Sequence, residues 1–189
     1  MSLYLPVIHG TVRAERRSFG VARFVASRLA RRPGVETRIF DPRDLPFGNL
    51  VATEWEMDPR PPEVDAFVRE MARADGFVLV APEYNHGIPG ALKNVLDALY
   101  DEWGRKPFGL VGVGGVSGGL RAVEHLRPVI SGLGAVSVPA HVAVQQVTKA
   151  FNDEGPVADA QDWERRVDRF LDEVAWYARA LKAGRAGAV

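Results

Sequence analysis

The sequence contains no cysteine. This absence excludes disulfides, thiolate zinc sites, iron–sulfur ligation by cysteine and a cysteine nucleophile. The sequence also lacks any apolar run approaching the roughly 20 residues that a membrane-spanning helix needs. Its first residues do not have the basic and then apolar layout of a signal peptide. We therefore expect a cytoplasmic protein that has no membrane partner.

An excess of charge of either sign is also missing, because 24 basic residues balance 24 acidic ones. Binding to the phosphate backbone of nucleic acid needs a basic excess, so no nucleic-acid partner is expected. The charge is unevenly distributed, with seven arginines and one glutamate between Gly10 and Arg32. A solvated helix face combined with a local phosphate site explains this cluster better than a nucleic-acid surface does.

Five apolar strands alternate with amphipathic helices along the 189 residues, with no internal repeat or linker. This alternation predicts an α/β fold with a doubly wound parallel sheet and helices on both faces. We expect a single domain over residues 1–189, with residues 184–189 as a frayed tail. The predicted strands cover residues 3–9, 35–40, 77–81, 108–113 and 135–138, with a β-prone extension of uncertain pairing at 141–147. The predicted helices cover residues 19–31, 91–100 and 120–133, one that opens at Pro62, and a final amphipathic one after a polar loop at 152–160.

The loop after the first predicted strand combines a glycine, hydroxyls and arginines with a helix start. Backbone N–H groups and the helix dipole at such a start suit a phosphate monoester. Ser18 is a natural N-cap for the helix, and Arg13, Arg16 or Arg17 could add charge-assisted bonds. An ordinary connecting loop explains these residues equally well.

The loop after the third predicted strand places Glu83, Tyr84, Asn85 and His86 after Pro82. Prolines and glycines leave this stretch few ways to bend, so the polar residues form a rigid ledge at the end of the sheet. The simpler alternative is an ordinary βα loop. Because no metal-ligand spacing appears among the four histidines, no metal site is expected.

The loop after the fourth predicted strand, residues 114–119, has four glycines around Val116 and Ser117. Such a run indicates either a sharp turn or close backbone approach to a ligand. In the strand order 2-1-3-4-5, strands one, three and four are neighbours. Their three loops would then converge at the switch point and surround one elongated, phosphorylated, planar ligand.

The long loop over residues 41–62 carries apolar side chains that are unsuited to free solvent. They are Phe47, Leu50, Trp55 and Met57. Loops of this length are usually lids, interfaces or disordered segments. We expect a subunit contact or a rim of the site, with packing onto the domain's own surface as the alternative.

The run Pro82-Glu83-Tyr84-Asn85, followed by Pro89-Gly90-Ala91-Leu92-Lys93-Asn94 and Asp97, resembles the NADPH-dependent FMN reductase family of flavodoxin-like proteins. That family includes quinone, chromate and azo-dye reductases. Its first loop reads roughly Gly-Ser-x-Arg-x-x-Ser, and Gly10, Thr11, Arg13 and Ser18 fit it with a longer spacer. The longer spacer leaves open which of Arg16, Arg17 and Ser18 contacts a phosphate.

The resemblance implies a flavodoxin-like fold, FMN as cofactor and NADPH or NADH as co-substrate. It implies hydride transfer through flavin N5 to quinones or similar small acceptors, with no side-chain catalyst named, and a homodimer or homotetramer. The implied flavin-binding residues are Thr11, Arg13 and Ser18 for the phosphate, Pro82, Glu83, Tyr84 and Asn85 along the ring, and Ser117 and Gly118 at its pyrimidine edge. Phe19 is a further implied cofactor-binding residue. A non-enzymatic flavodoxin-type electron carrier and a flavin- or nucleotide-binding sensor remain as alternatives.

Overall fold

A computed structural model describes residues 2–49 and 52–187 as an α/β structure. Its strands are β1 (Leu3–Tyr4), β2 (Val7–His9), β3 (Val35–Glu36), β4 (Ile39–Phe40), β5 (Phe77–Pro82), β6 (Pro107–Val113), β7 (Val136–Val144), β8 (Phe151–Asn152) and β9 (Gly155–Pro156). Its helices are α1 (Ser18–Ala30), α2 (Pro62–Arg73), α3 (Gly90–Asp97), α4 (Leu120–Gly132), α5 (Val147–Ala150) and α6 (Ala160–Arg185).

The central sheet is parallel and has the strand order β4-β2-β5-β6-β7. Counted along the chain, these strands are the second, first, third, fourth and fifth, so the predicted order 2-1-3-4-5 is confirmed. Every residue of β2, β5 and β6 is buried. Uniformly apolar strands of this kind need helices on both faces of the sheet.

The two faces of the sheet carry separate apolar cores. On one face, α2, α3 and α4 pack through residues such as Phe67, Leu92 and Leu126. On the other face, α1 and α6 pack through residues such as Val25 and Leu171. Each fully buried aliphatic or aromatic side chain contributes about 1.5–3 kcal/mol of transfer free energy, so both layers hold the strand ends in place.

Pro6 interrupts the first predicted strand, as its missing N–H requires. β1 pairs with β3, whereas β2 pairs with both β4 and β5. The Pro6 carbonyl still accepts a bond of 3.0 Å from the Val78 amide, so the chain direction is kept across the break.

The C-terminal part of the chain differs from the sequence prediction in two places. The last parallel strand and its uncertain extension form one strand, β7, whose pairing with β6 shifts register between Phe108 and Leu110. The predicted frayed tail began at residue 184, but α6 continues to Arg185. Lys182 and Arg185 lie 2.9 and 3.6 Å from the buried carboxylate of Asp75, which secures this last turn. Residues 188 and 189 lie outside the described ranges.

Smaller features concern single residues and short turns. Leu120 is the first residue of α4 and is 40% exposed, and the buried positions of the helix begin with Ala122 and Val123. Pro128 lies inside α4, which continues past it to Gly132. The polar loop predicted at 152–160 contributes to the short β8–β9 hairpin.

Candidate functional site

Three loops meet at the carboxyl ends of β2, β5 and β6. We call them the first loop (residues 10–17), the second loop (residues 83–89) and the glycine loop (residues 114–119). Thr11 Oγ1 lies 2.7 Å from the Tyr84 hydroxyl, which joins the first loop to the second. Ser117 Oγ donates to Glu83 Oε2 at 2.8 Å, which joins the second loop to the glycine loop. The predicted convergence at the switch point is therefore confirmed.

The first loop lies close against β5 and Tyr84. A Cβ on Gly10 would be only 2.9 Å from the Val80 carbonyl oxygen, so this position needs glycine. The guanidinium carbon of Arg13 lies 3.7 Å from the centre of the Tyr84 ring, a cation–π distance. The Arg13 amide also lies 3.3 Å from Thr11 Oγ1.

The second loop is a tight two-residue turn. Tyr84 and Gly87 exchange two backbone hydrogen bonds of 3.0 Å. Between them, Asn85 and His86 have φ values of 49° and 67°, the left-handed conformation that such a turn requires. Both side chains are exposed at the tip, whereas Pro82 is buried beneath them. The turn places these polar side chains at the carboxyl end of β5, where the sequence predicted a polar ledge.

Glu83 fixes the second loop to the start of α4. Its carboxylate accepts from the Arg121 amide at 3.1 Å and from the Arg121 guanidinium at 2.9 Å, besides the Ser117 hydroxyl. Burial alone would raise the pKa of Glu83, but the hydrogen bonds from Arg121 and Ser117 outweigh burial and lower it. The carboxylate is therefore charged at neutral pH.

The glycine loop folds back onto the end of β6. Gly118 and Gly119 have φ values of 64° and 84°. A Cβ on Gly119 would lie 2.2 Å from the Val113 nitrogen. The sequence left two interpretations of this glycine-rich loop, a sharp turn or close approach to a ligand. A sharp turn accounts for Gly118 and Gly119. Gly115 is different, because a Cβ there would meet no atom of the described residues within 4 Å beyond its chain neighbours.

Ser18 is not the N-cap of α1, so that prediction was wrong. Arg17 occupies the cap position, and Ser18 is the first helical residue. The Ser18 hydroxyl is turned toward the buried His9, with Oγ 2.8 Å from His9 Nε2. Burial and the neighbouring Arg16 lower the pKa of His9 to about 4. Phe19 packs edge-on against His9, with ring centres 5.3 Å apart.

Arg16 is committed to structural contacts. Its guanidinium donates to Asp41 at 2.6 Å and to the Thr11 carbonyl at 3.1 Å. Burial would raise the pKa of Asp41, but the hydrogen bond from Arg16 outweighs it and lowers the pKa. Sequence reasoning missed Asp41, although its position directly after β4 puts it at the same edge of the sheet. With Arg16 held there, Arg13 and Arg17 are the loop arginines that can turn toward an anion.

An open cleft of about 510 Å³ adjoins the start of α1. Two acidic residues, Glu15 and Asp153, line this cleft. Four arginines line it as well: Arg16, Arg17, Arg23 and Arg43. Within residues 2–49 and 52–187, Arg17, Arg23 and Arg43 form no ion pair with a carboxylate. The arginines and the N-terminal end of the helix dipole together favour an anionic group beside the first loop.

Unused backbone donors flank the ledge on both sides. Across the described parts of the chain, the N–H groups of residues 14–17 donate to no protein acceptor. The same is true of the N–H groups of residues 115–117. FMN needs donors for a phosphate at one end and for the electron-rich edge of the ring at the other. The donor set present here fits both ends of FMN.

Neither a metal centre nor a membrane span is found in the part of the chain that the structure describes. No group of three or more histidine or acidic side chains there could hold a metal ion. No helix there is both long enough and apolar enough to cross a bilayer.

A parallel sheet of order 2-1-3-4-5 with three loops that meet at the switch point is typical of the flavodoxin-like fold. Residues 4–149 match the family described as NADPH-dependent FMN reductase. The chain belongs to this family, and it is therefore an FMN-dependent oxidoreductase that uses NAD(P)H.

Two relatives are similar over nearly their whole length. A probable NADPH:quinone oxidoreductase 2 from Oryza sativa subsp. japonica is 30% identical, covering 94% of this chain and 90% of the relative. A 2-hydroxy-1,4-benzoquinone reductase from a Burkholderia species is also 30% identical, covering 95% and 98%. Among solved structures, FerB of Paracoccus denitrificans, titled a flavoenzyme NAD(P)H:(acceptor) oxidoreductase, superposes with a TM-score of 0.72 at 21% identity. That superposition covers 93% of this chain and 98% of FerB, and it supports the fold.

Proposed function

We propose that FMN lies across the three joined loops, with its phosphate at the first loop and its ring along the second. Thr11, Arg13, Ser18 and Phe19 would hold the phosphate end, and residues 82–85 would line the ring. Ser117 and Gly118 would face the pyrimidine edge. The observation that carries this proposal is the pair of unused N–H sets, at residues 14–17 and 115–117, on either side of the Tyr84 ledge.

The protein would act by binding, orientation and electrostatics. Bound FMN supplies the hydride chemistry at its N5 atom, between NAD(P)H and the acceptor. The Tyr84–Gly87 turn would hold the ring in a fixed plane, and the Glu83–Ser117 bond would fix the glycine loop against it. Free N–H groups of that loop would then stabilise negative charge on the adjoining edge of the ring, because they are oriented before the reaction begins.

We propose quinones or similar planar compounds as the electron acceptor. Apolar side chains are exposed on both outer loops, with Val12 at 46% and Val116 at 84% exposure. Leu120 adds a third apolar side chain beside the glycine loop. Such a surface suits a flat, weakly polar molecule, and the two curated relatives are named as quinone reductases.

The test is the oxidation of NADPH and NADH by the FMN-reconstituted protein, with and without a benzoquinone. We expect rapid oxidation that depends on quinone. A Ser117→Ala variant should turn over more slowly, since it loses the bond to Glu83, whereas the exposed Ser27→Ala serves as a matched control. Reduction of bound flavin without quinone-dependent turnover would point to a carrier or a sensor. A colourless protein after reconstitution would remove the proposal altogether.

A homodimer or homotetramer with a contact at Trp55 is part of this proposal. Phe47 is buried in the chain's own core, and Met57 packs against that core, so the alternative of self-packing holds for these two. Leu50 lies outside the described residues. Trp55, however, is 58% exposed and lies beside the exposed Tyr100, with ring centres 6.4 Å apart. Aromatic side chains are enriched at the centre of subunit contacts, so this pair would lie within the contact.

A cytoplasmic location also belongs to this proposal, because the reductant NAD(P)H is a metabolite of the cell interior. Cell fractionation followed by immunodetection checks it. Recovery of the protein outside the cytoplasmic fraction would contradict it.

A further inference from the structure

We infer that His9 is a positioning residue that makes the Ser18 hydroxyl a hydrogen-bond donor for the FMN phosphate. The contacts form a chain from Asp41 through Arg16 and His9 to Ser18. This inference rests on the proposed function for the phosphate site, and it adds a residue that touches neither flavin nor substrate.

The surroundings of His9 decide which of its two ring nitrogens carries the proton. His9 is completely buried at the end of β2, with Arg16 Nη1 3.5 Å from its Nδ1 atom. The guanidinium is positively charged and has no acceptor, so a proton on Nδ1 would be directed at a cation without a partner, and Nδ1 is the unprotonated nitrogen. A neutral imidazole carries one proton, which must then be on Nε2. The ion pair with Asp41 keeps Arg16 in this place.

A doubly protonated His9 ring would turn an N–H toward the guanidinium of Arg16. The charged groups that face His9 are Arg16 and Arg43, which disfavour a second proton, and Asp41, which favours it. Burial adds to the effect of the two arginines, and the pKa of His9 falls to about 4. The ring is therefore neutral, with a single proton, at physiological pH.

The position of the His9 proton decides what the Ser18 hydroxyl can donate. Nε2–H donates to Ser18 Oγ across 2.8 Å, so the serine accepts from His9 and its own proton is left to donate elsewhere. Among the described residues, the Ser18 hydroxyl has no other hydrogen-bond partner. With the opposite tautomer, Ser18 would donate to His9 and present only lone pairs, which would repel a phosphate.

Ser18 is well placed for this role. It is the first residue of α1, directly after the unused N–H groups of residues 14–17. A hydroxyl donor at this point would add one charge-assisted hydrogen bond to the phosphate, at the positive end of the helix dipole. His9 thus directs the hydroxyl proton of Ser18 toward the phosphate, and it does so while its own ring stays neutral.

The test is FMN affinity, measured by quenching of flavin fluorescence, in wild type, His9→Leu, Ser18→Ala and the double variant. We expect each single substitution to weaken FMN binding by about tenfold, in line with one hydrogen bond to a charged acceptor. The double variant should bind no more weakly than Ser18→Ala alone. Riboflavin, which lacks the phosphate, should bind all four proteins with similar affinity.

A conservative variant separates positioning from mere packing. In His9→Gln the side-chain amide can still donate to Ser18, so FMN affinity should return to within about threefold of wild type. Equal losses for FMN and riboflavin, or additive losses in the double variant, would show a structural role and overturn the inference. Failure of wild-type protein to bind FMN would instead overturn the proposed function.

The tautomer can be measured without any variant. Nitrogen-15 NMR of the imidazole in wild-type protein should show a proton on Nε2 and none on Nδ1. A proton on Nδ1 would overturn the inference even if His9→Leu does not fold.

Discussion

Glu83 shows how a single carboxylate can join two loops and a helix at a candidate site. Its carboxylate is largely buried and accepts three hydrogen bonds, from Ser117 Oγ and from the amide and guanidinium of Arg121. These bonds fix the second loop to the glycine loop and to α4 at once. The charge of Glu83 is therefore a structural requirement of the site.

Replacing Glu83 by glutamine tests this role through pH. The lowered pKa of Glu83 means that its contribution is present above the unfolded carboxyl pKa and is lost as the pH falls through the folded value. At pH 7 we expect Glu83→Gln to lower the free energy of unfolding by about 1 kcal/mol, since Arg121 is half exposed.

Urea unfolding of the two proteins across pH measures the difference. The gap should shrink as the pH falls below about 4.3, the ordinary range of a glutamate. A gap that stays constant from neutral to acid pH would mean that the charge of Glu83 is not involved.

For single residues, the sequence predicted which loop each one lies in better than which contacts it makes. Thr11, Tyr84 and Ser117 were placed correctly in converging loops, because parallel strand order fixes which loops are neighbours. The Ser18 cap was wrong because His9, nine positions away, offers that hydroxyl a buried partner. The ion pair between Arg16 and Asp41 was missed because the two residues lie 25 positions apart in the sequence, and short sequence patterns do not reveal such a contact.

At the scale of elements, the glycine loop folds so tightly that most of its glycines have no room for a side chain. Gly114, Gly118 and Gly119 lie so close to neighbouring backbone or side chains that a Cβ would come within 3.0 Å of another atom. Gly115 faces open space. Gly115 is therefore the one of these four glycines that the loop's own packing does not require.

Alanine substitutions at Gly119 and Gly115 distinguish a glycine that the loop's packing requires from one that faces open space. Gly119→Ala should lower the free energy of unfolding by roughly 2–4 kcal/mol, because it combines a left-handed φ with overlap onto β6. Gly115→Ala is the matched control and should change stability by less than about 0.5 kcal/mol. Thermal unfolding of both variants provides the comparison, and equal losses would contradict the assignment.

Element boundaries were predicted where local signals exist. The start of α2 at Pro62 and the buried strand β5 follow directly from proline and apolar patterns. β7 was divided in the prediction because its register shift against β6 depends on the partner strand. The end of α6 was missed because ion pairs to Asp75, about 107 residues earlier, stabilise it.

At the scale of the whole molecule, the exposed aromatic residues are the features that the single chain does not explain. Trp55 and Tyr100 form one exposed pair, whereas Trp176 is 61% exposed on α6. A subunit contact would cover one of these surfaces, and the proposal places it at Trp55.

Serine substitutions distinguish the two surfaces. Light scattering should give wild-type protein a mass of two or four times 20.7 kDa. Trp55→Ser should shift the population toward the monomer, and Trp176→Ser should leave the mass unchanged. Dissociation by Trp176→Ser alone would move the interface to α6, and a monomeric wild-type protein would exclude both.

The most direct test of the central claim is a visible absorption spectrum of the protein after FMN addition and gel filtration, followed by NADPH. The claim is that the three joined loops hold FMN where a nicotinamide can reduce it. It predicts flavin bands that stay with the protein, bleach when NADPH is added and return with a quinone. Protein that leaves the column without flavin would contradict the claim, and only the α/β fold would stand.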